Sequence, residues 1–237
     1  HDTGWHHHRR AQLIYASQGV MRVRTRQGLW VVPPQRAVWM PPLTAHQVQV
    51  ASRRTAMRHL YIEPDAAAHL PDGCCVVRVS PLLRELILRA AALPPLYDPD
   101  GPDGRLVAVI LDQIEGLPVA PLHLPDVADF RLRPIADALA ADPADPRTLA
   151  DFAIGCGASA RTLARLFRRD TGLTFGQWRQ QARLLAALTL LAEGRPVTTV
   201  ALDLGYDSQS AFIAMFRRAF GVTPGRYFAQ GEDQVAG

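Results

Sequence analysis

What this chain can fold into is constrained most by residues 159–172, which read SARTLARLFRRDTG. Ser159 is a residue type that caps the start of a helix, and Gly172 can end one in a left-handed conformation. Between them the apolar residues recur at the spacing of one helix face, and the arginines fall outside that face. The apolar residues are Leu163, Leu166 and Phe167, and the arginines are Arg161, Arg165, Arg168 and Arg169. The stretch predicts a short helix with one buried and one basic face, which suits a DNA groove.

A second helix is predicted just before this one. Residues 149–153 have helical character, and the sequence Gly-Cys-Gly at 155–157 supplies a tight turn before Ser159. Helix, turn and helix together predict a helix-turn-helix unit. For this unit taken alone, an ordinary helical hairpin is the alternative.

The same pattern occurs a second time, at 200–221. When the two segments are aligned on Ser159 and Ser208, apolar residues, an arginine and the final glycine coincide. The coinciding pairs are Leu163 with Phe212, Phe167 with Phe216, Arg168 with Arg217 and Gly172 with Gly221. Residues 175–192 lie between the segments, contain no proline and show helical spacing, so they predict a connecting helix.

Two such units, joined by a long helix and followed by FGVTPGRY at 220–227, closely resemble the DNA-binding domain of the AraC/XylS family of bacterial transcription regulators. The resemblance covers about 126–228. It implies that double-stranded DNA is the partner and that the two second helices enter successive major grooves, about 34 Å apart.

The resemblance also assigns residues to DNA contact. In the first unit Arg161 and Arg165 are expected to reach base edges, with Thr162 nearby. In the second unit Gln209 and Ser210 take the matching positions. Residues late in the helices are expected to contact phosphates or to pair with acids such as Asp170; these are Arg168, Arg169, Arg217 and Arg218. For each arginine the alternative is a solvated helix face.

Residues 1–63 predict short strands, because they are rich in β-branched and aromatic residues and are interrupted by Gly and Pro. Closely spaced strands of this kind suggest a small antiparallel barrel or jelly roll. His6, His8 and Gln12 follow the spacing of the first cupin motif, with Gln12 where glutamate is usual. Residues 41–46 resemble the second motif, with Leu43 in place of its glycine. This part therefore looks like a cupin, as in the sensor domains of many AraC-type regulators.

In cupins that bind a metal, the positions of His6, His8, Gln12 and His46 line the metal site. Three imidazoles and an amide oxygen can hold one divalent transition metal ion such as Ni, Zn, Fe or Mn. Glutamine is a poorer ligand than glutamate because it is neutral, so a metal-free effector pocket is the alternative. An incidental polar cluster is the third interpretation.

The fold class expected is therefore an α+β multidomain chain. Residues 1–117 form a cupin-like sensor and dimerisation domain, with strands at about 1–63 and helices at about 80–116. Proline-rich residues 118–125 form an extended linker. Residues 126–229 form an all-α domain with two helix-turn-helix units, which opens with a helix from Asp126.

Composition only limits the classes of protein to which the chain can belong. The chain has 237 residues and a formal net charge of +4, which is a weak argument for nucleic acid. The case for DNA therefore rests on where the arginines cluster. No apolar run reaches the roughly 18 residues that a membrane span needs. The three cysteines are an odd number, and Cys74 and Cys75 are adjacent, which argues against a disulfide framework, so a cytoplasmic location is expected.

The function expected is sequence-specific transcription regulation, in which the cupin domain senses a small molecule or a divalent metal. A homodimer and contact with RNA polymerase are expected, and enzymatic activity and membrane contact are not. The alternative is a metal-dependent cupin dioxygenase that carries a DNA-binding domain. Tandem helix-turn-helix units have no purpose in a plain dioxygenase, and Gln12 weakens its metal site.

Overall fold

A computed structural model describes residues 2–52, 55–68, 70–94, 96–114 and 122–232. The chain divides into two compact units. The first comprises 1–25 and 32–119, and the second comprises 26–31 and 120–237. The boundary lies inside the predicted linker, and a short piece of the strand-rich region groups with the C-terminal unit.

The strands are β1 (Ala11–Gln18), β2 (Met21–Thr25), β3 (Gly28–Val32), β4 (Arg36–Met40), β5 (His46–Val50), β6 (Ala56–Ile62), β7 (Cys75–Arg78) and β8 (His123–Pro125). The helices are α1 (Pro81–Ala90), α2 (Pro102–Gln113), α3 (Arg133–Ala141), α4 (Leu149–Cys156), α5 (Ala160–Thr171), α6 (Phe175–Ala192), α7 (Val197–Asp203), α8 (Gln209–Phe220) and α9 (Pro224–Glu232). A short 3-10 helix spans Pro64–Ala67. Among the described residues, no helix has the length and apolar character needed to cross a membrane.

The first unit contains an antiparallel sheet with the strand order β6-β1-β4-β7. Alternate residues of β1 point to opposite faces of this sheet. Leu13 and Tyr15 belong to an apolar core that also contains Leu83 and Ile87 of α1 and Ile110 of α2. The predicted helices of residues 80–116 thus cover one face of the sheet.

Gln12 lies on the opposite face of β1 from that core. It stands directly opposite Met40 of β4 and Tyr61 of β6. The remaining strands, β5, β2, β3 and β8, make up a second sheet. Within it β2 pairs with β5 in antiparallel register, so that Thr25 stands opposite His46. Gln12 and His46, which the two cupin-like motifs single out, are both buried on these strands.

The second unit begins with a short strand pair. β8 pairs with β3, and Trp30 stands opposite His123, with their rings stacked 3.9 Å apart. The pairing needs glycine at position 28, because a Cβ there would lie 2.1 Å from the carbonyl oxygen of Leu124. The prediction of an extended linker at 118–125 is therefore wrong for 123–125, which form a strand, while 118–121 lie outside the described residues.

Two other predictions need correction. Residues 126–132 do not open the C-terminal unit with a helix, since α3 begins only at Arg133. Hydrogen bonds from the backbone amides of Ala128 and Asp129 to the carboxylate of Asp170 hold this segment in a loop. The turn predicted at 155–157 is shorter than expected, because α4 continues to Cys156 and only Gly157 turns, with φ of 62°.

Candidate functional sites

The first helix-turn-helix unit consists of α4 and α5. Thr148 and Asp151 form a reciprocal capping box at the start of α4. The hydroxyl of Ser159 accepts a hydrogen bond from the amide of Thr162 and so caps α5, and Gly172 ends α5 with φ of 73°. Both α5 boundaries agree with those that the sequence predicts.

The buried face of α5 fixes the direction of its other side chains. Leu163, Leu166 and Phe167 are almost completely buried. The ring of Phe167 lies 5.4 Å from that of Phe175 and 5.8 Å from that of Trp178, both on α6. Since these contacts hold one face of α5 against α6, the arginines project from the opposite side.

The arginines of α5 fall into two groups. Arg161, Arg165 and Arg168 are exposed, and within the described part of the chain no side chain pairs with them. Arg169 donates to Asp170 at 2.8 Å and to Asp129 at 3.3 Å. Of the two roles open to it in the sequence, Arg169 therefore takes that of an ion-pair partner. The hydroxyl of Thr162 lies 3.0 Å from that of Ser159, at the start of the exposed face.

The second unit consists of α7 and α8. Ser208 caps α8 by accepting from the amide of Ala211, and Gly221 ends it with φ of 80°. Gln209, Ser210 and Arg217 are exposed. Ala214, at the position that corresponds to Arg165, is exposed as well, so α8 shows fewer charged groups than α5.

Helix α6 connects the two units. Its 18 residues span about 27 Å at the rise of an α-helix. The indole N–H of Trp178 donates to the carbonyl oxygen of Pro125 at 2.9 Å, and the amide of Gln181 donates to that of His123 at 3.1 Å. Strand β8 is thereby attached to the helix that carries both units.

A second candidate site lies in the N-terminal unit, where His6, His8 and His46 come together. One ring nitrogen from each lies within 4.8 Å of the others. Backbone hydrogen bonds in both directions join His6 to His46, at 3.0 and 2.9 Å. His7 is exposed, as expected for a residue between two that point inward.

The orientation of all three rings is fixed in the same way. The Nδ1 atoms of His6, His8 and His46 lie 3.0, 2.5 and 2.8 Å from the backbone carbonyl oxygens of Gly4, Arg10 and Thr44, respectively. A carbonyl oxygen can only accept, so each Nδ1 carries a proton, and in the neutral form of the ring Nε2 keeps a lone pair. Histidines that bind metals are usually oriented by such hydrogen bonds.

His46 carries a ring nitrogen that is available to a ligand. The residue is fully buried, and its Nε2 has no hydrogen-bond partner among the described residues. Burial lowers the pKa of His46, and the neighbouring imidazoles act in the same direction, against the hydrogen bond to Thr44. The ring is therefore neutral near pH 7, which is the form that binds a metal ion.

Gln12 connects the cluster to a residue that the sequence did not point to. Its side-chain amide lies 3.0 Å from Nε2 of His8 and 2.8 Å from Nδ1 of His59, and Gln12 is 2% exposed. The oxygen of Gln12 is on the His8 side and its NH2 group is on the His59 side, so this oxygen lies beside Nε2 of His8. Only the register of β1 with β6 brings His59 onto this face of the sheet.

The residues present fit a divalent metal ion. Ligand nitrogens around a tetrahedral zinc ion lie about 3.4 Å apart when the Zn–N distance is about 2.0–2.1 Å. Ring adjustments of about an ångström bring His6, His8 and His46 to that spacing. Imidazole suits nickel, zinc and iron as well, so the donor set alone does not select one of them.

Comparison with known proteins supports a ligand-binding N-terminal part and a C-terminal part with a helix-turn-helix domain. A model of the AraC-like ligand binding domain matches residues 1–117, and a model of a helix-turn-helix domain matches 152–230. The HTH-type transcriptional regulator NimR of Escherichia coli K12 is 41% identical over 225 residues, which cover 95% of this chain and 82% of NimR. Regulatory protein SoxS of Salmonella typhimurium is 46% identical over 72 residues, 30% of this chain and 67% of SoxS.

Two solved structures are similar to this chain over different shares of its length. A DNA-binding transcriptional dual regulator from Escherichia coli K-12 is 26% identical, with a TM-score of 0.41, over 46% of this chain and 97% of that one. ToxT from Vibrio cholerae is 10% identical, with a TM-score of 0.42, over 93% of this chain and 90% of ToxT.

Proposed function

The chain belongs to the AraC/XylS family of DNA-binding transcription regulators, and from this premise we propose that its N-terminal domain senses a divalent transition metal ion through His6, His8 and His46. The observation that carries the proposal is the common orientation of the three rings. Each Nδ1 is bound to a backbone carbonyl, so each ring offers an Nε2 lone pair to the same space. Gln12 supports the site through His8 and is also a candidate fourth ligand.

On DNA, the exposed arginines of α5 supply the main contacts. Arg161 and Arg165 each offer a planar fork that matches O6 and N7 of guanine, and Arg168 lies later in the helix, where it suits a phosphate. Gln209 of α8 can pair with adenine, Ser210 lies beside it, and Arg217 suits a phosphate. A bound ion would change how these two helices are presented to DNA.

The form in which the regulator acts is part of the proposal. We expect a homodimer in the cytoplasm that contacts RNA polymerase at its promoters. The relatives are transcription regulators, so we expect metal binding without turnover. Oxygen consumption by the iron-loaded protein with a candidate substrate would instead favour the metal-dependent dioxygenase.

Metal content tests the proposal directly. Tag-free protein is incubated with Ni, Zn, Fe or Mn, desalted and measured by mass spectrometry beside two variants. His8→Ala removes one ligand, and His7→Ala removes an exposed imidazole from the same segment as a matched control. We expect near-stoichiometric metal in the wild type and in His7→Ala, and little in His8→Ala. Equal metal content in both variants would contradict the site, and so would its absence from all three proteins.

A further inference from the structure

A surface groove runs beside the histidine cluster of the N-terminal unit. Its volume is about 460 Å³, which is large enough for a small organic molecule. The groove is lined by His8, Arg9, Arg10, Tyr61 and Glu63. These residues come from the segment before β1 and from the end of β6, the strand that pairs with β1.

One residue of the groove is also part of the histidine cluster. His8 lines the groove and also contributes a ring nitrogen to the cluster of three. The ring of Tyr61 stands edge-on to that of His8, with 5.3 Å between the ring centres, and Tyr61 is 54% exposed. A molecule in the groove would therefore lie next to an ion held by His8.

The charged residues that line the groove are two arginines and a glutamate. Nε of Arg10 lies 2.5 Å from a carboxylate oxygen of Glu63, and Arg9 adds a second guanidinium group. The side chains of Arg10 and Glu63 are 58% and 61% exposed. An ion pair this open to solvent is held weakly, so a carboxylate from another molecule can compete with Glu63 for Arg10. Guanidinium groups match carboxylates in geometry as well as in charge.

We propose that this groove binds a small dicarboxylic acid. One carboxylate replaces Glu63 at the guanidinium of Arg10, and an oxygen of the other completes the coordination of the ion on His6, His8 and His46. An octahedral ion held by three histidines, with or without Gln12, keeps a position open for such an oxygen. The inference rests on the proposed function, because it makes the ion half of the binding site, and it adds that the effector is an acid bound together with the ion.

In this arrangement Glu63 is an internal competitor of the ligand. Its removal strengthens acid binding, whereas removal of Arg10 weakens it. Opposite effects from the two members of one ion pair distinguish a ligand site from a pair that only stabilises the surface. A structural pair predicts that both substitutions act alike.

The test is calorimetric titration of nickel-loaded protein with malonate, succinate and glutarate, with uncharged succinamide as the control ligand. Nickel content is measured before and after each titration. The proteins are the wild type, Arg10→Gln, Glu63→Gln and Arg58→Gln, the last of which removes an exposed arginine of β6 that does not line the groove. The metal-free wild type is titrated in parallel.

We expect the best of the three acids to bind nickel-loaded wild type at least about tenfold more tightly than Arg10→Gln or the metal-free protein. Glu63→Gln should bind it several-fold more tightly than wild type, Arg58→Gln should match wild type, and succinamide should not bind. If the protein retains nickel but binds no acid, or if Arg10→Gln binds the acid as tightly as wild type, this inference is overturned. The proposed metal site is not affected by that result. Failure to retain nickel would count against the proposed function itself.

Discussion

The two helix-turn-helix units share a scaffold but present different surfaces. Helices α5 and α8 are each 12 residues long, begin after a serine cap and end at a left-handed glycine. Helix α5 shows Arg161, Arg165 and Arg168 to solvent, whereas α8 shows Gln209 and Ser210 and has Ala214 in the place of Arg165. The comparison separates what the fold needs, which both units keep, from the exposed side chains proposed to read DNA, which carry more charge in the first unit.

The largest effects are expected in the shared scaffold. Phe167→Ala and Phe216→Ala each remove a fully buried ring that contacts other aromatic rings, so each should lower the free energy of unfolding by about 3–5 kcal/mol. Chemical denaturation measures both. A large loss from Phe167→Ala together with a negligible loss from Phe216→Ala would show that the two scaffolds are not equivalent.

The first unit carries one support that the second lacks. Asp170 accepts hydrogen bonds from Ala128, Asp129 and Arg169, and its side chain is 3% exposed. The position of α8 that corresponds to it is Ala219. Asp170→Ala should therefore lower the free energy of unfolding by about 1–3 kcal/mol, because two backbone amides and the guanidinium of Arg169 lose their acceptor. Chemical denaturation of this variant beside wild type measures the loss.

The same contacts predict a dependence on pH. Burial raises the pKa of Asp170, but the hydrogen bonds from Arg169 and the two amides outweigh it, and the net pKa lies below the usual 3.8. A depressed folded-state pKa gives stability that is complete above the unfolded-state pKa and is lost as the pH falls through the folded-state value. Denaturation between about pH 2 and 7 should show this loss in wild type and a smaller one in Asp170→Ala. Identical profiles would rule out Asp170 as its source.

The difference in DNA reading is tested by Arg161→Ala and Gln209→Ala. After selection of a preferred site from random DNA, Arg161→Ala should weaken binding to that site by about 1–3 kcal/mol and relax one base position. Gln209→Ala should have a smaller effect. Binding assays on preferred and random DNA measure both, and equal losses on the two DNAs for Arg161→Ala would exclude a base-reading role.

The smallest effect is expected from making the second helix more like the first. Ala214→Arg places a guanidinium where α5 has Arg165. It should strengthen binding to all DNA sequences and raise the salt slope by about one. Ala140→Arg, on an exposed position of α3 outside both helix-turn-helix units, tests whether any added arginine does the same. Equal gains from both variants would show that position 214 does not face DNA.

The helices that bind DNA were predictable because their boundaries depend on local chemistry. Ser159, Gly172, Ser208 and Gly221 each act through neighbours within a few residues, and α5, α6 and α8 begin and end as their sequences indicate. Strand β8 was not predicted, since a three-residue strand is defined only by its pairing with β3.

The same limit applies to the candidate sites. The cupin motif spacing predicts that His6, His8, Gln12 and His46 share one site, and the structure places them in one cluster. His59 was not predicted as a site residue. Its position beside Gln12 depends on the register of β1 with β6, and these strands are distant in sequence. The sequence named Asp170 as a partner for these arginines but did not show that Arg169 is the one that pairs with it, and the second partner, Asp129, lies on a loop that the sequence predicts as a helix.

The measurement that tests the account most directly is the affinity for the selected DNA site with saturating metal and with chelator. If the histidine cluster senses the ion, metal should change the affinity of the wild type and of His7→Ala by about tenfold or more, and should leave His8→Ala unchanged. That factor corresponds to about 1.4 kcal/mol of coupling between the ion and DNA. Equal affinities of wild type with and without metal would contradict metal sensing while leaving the DNA-binding units as described.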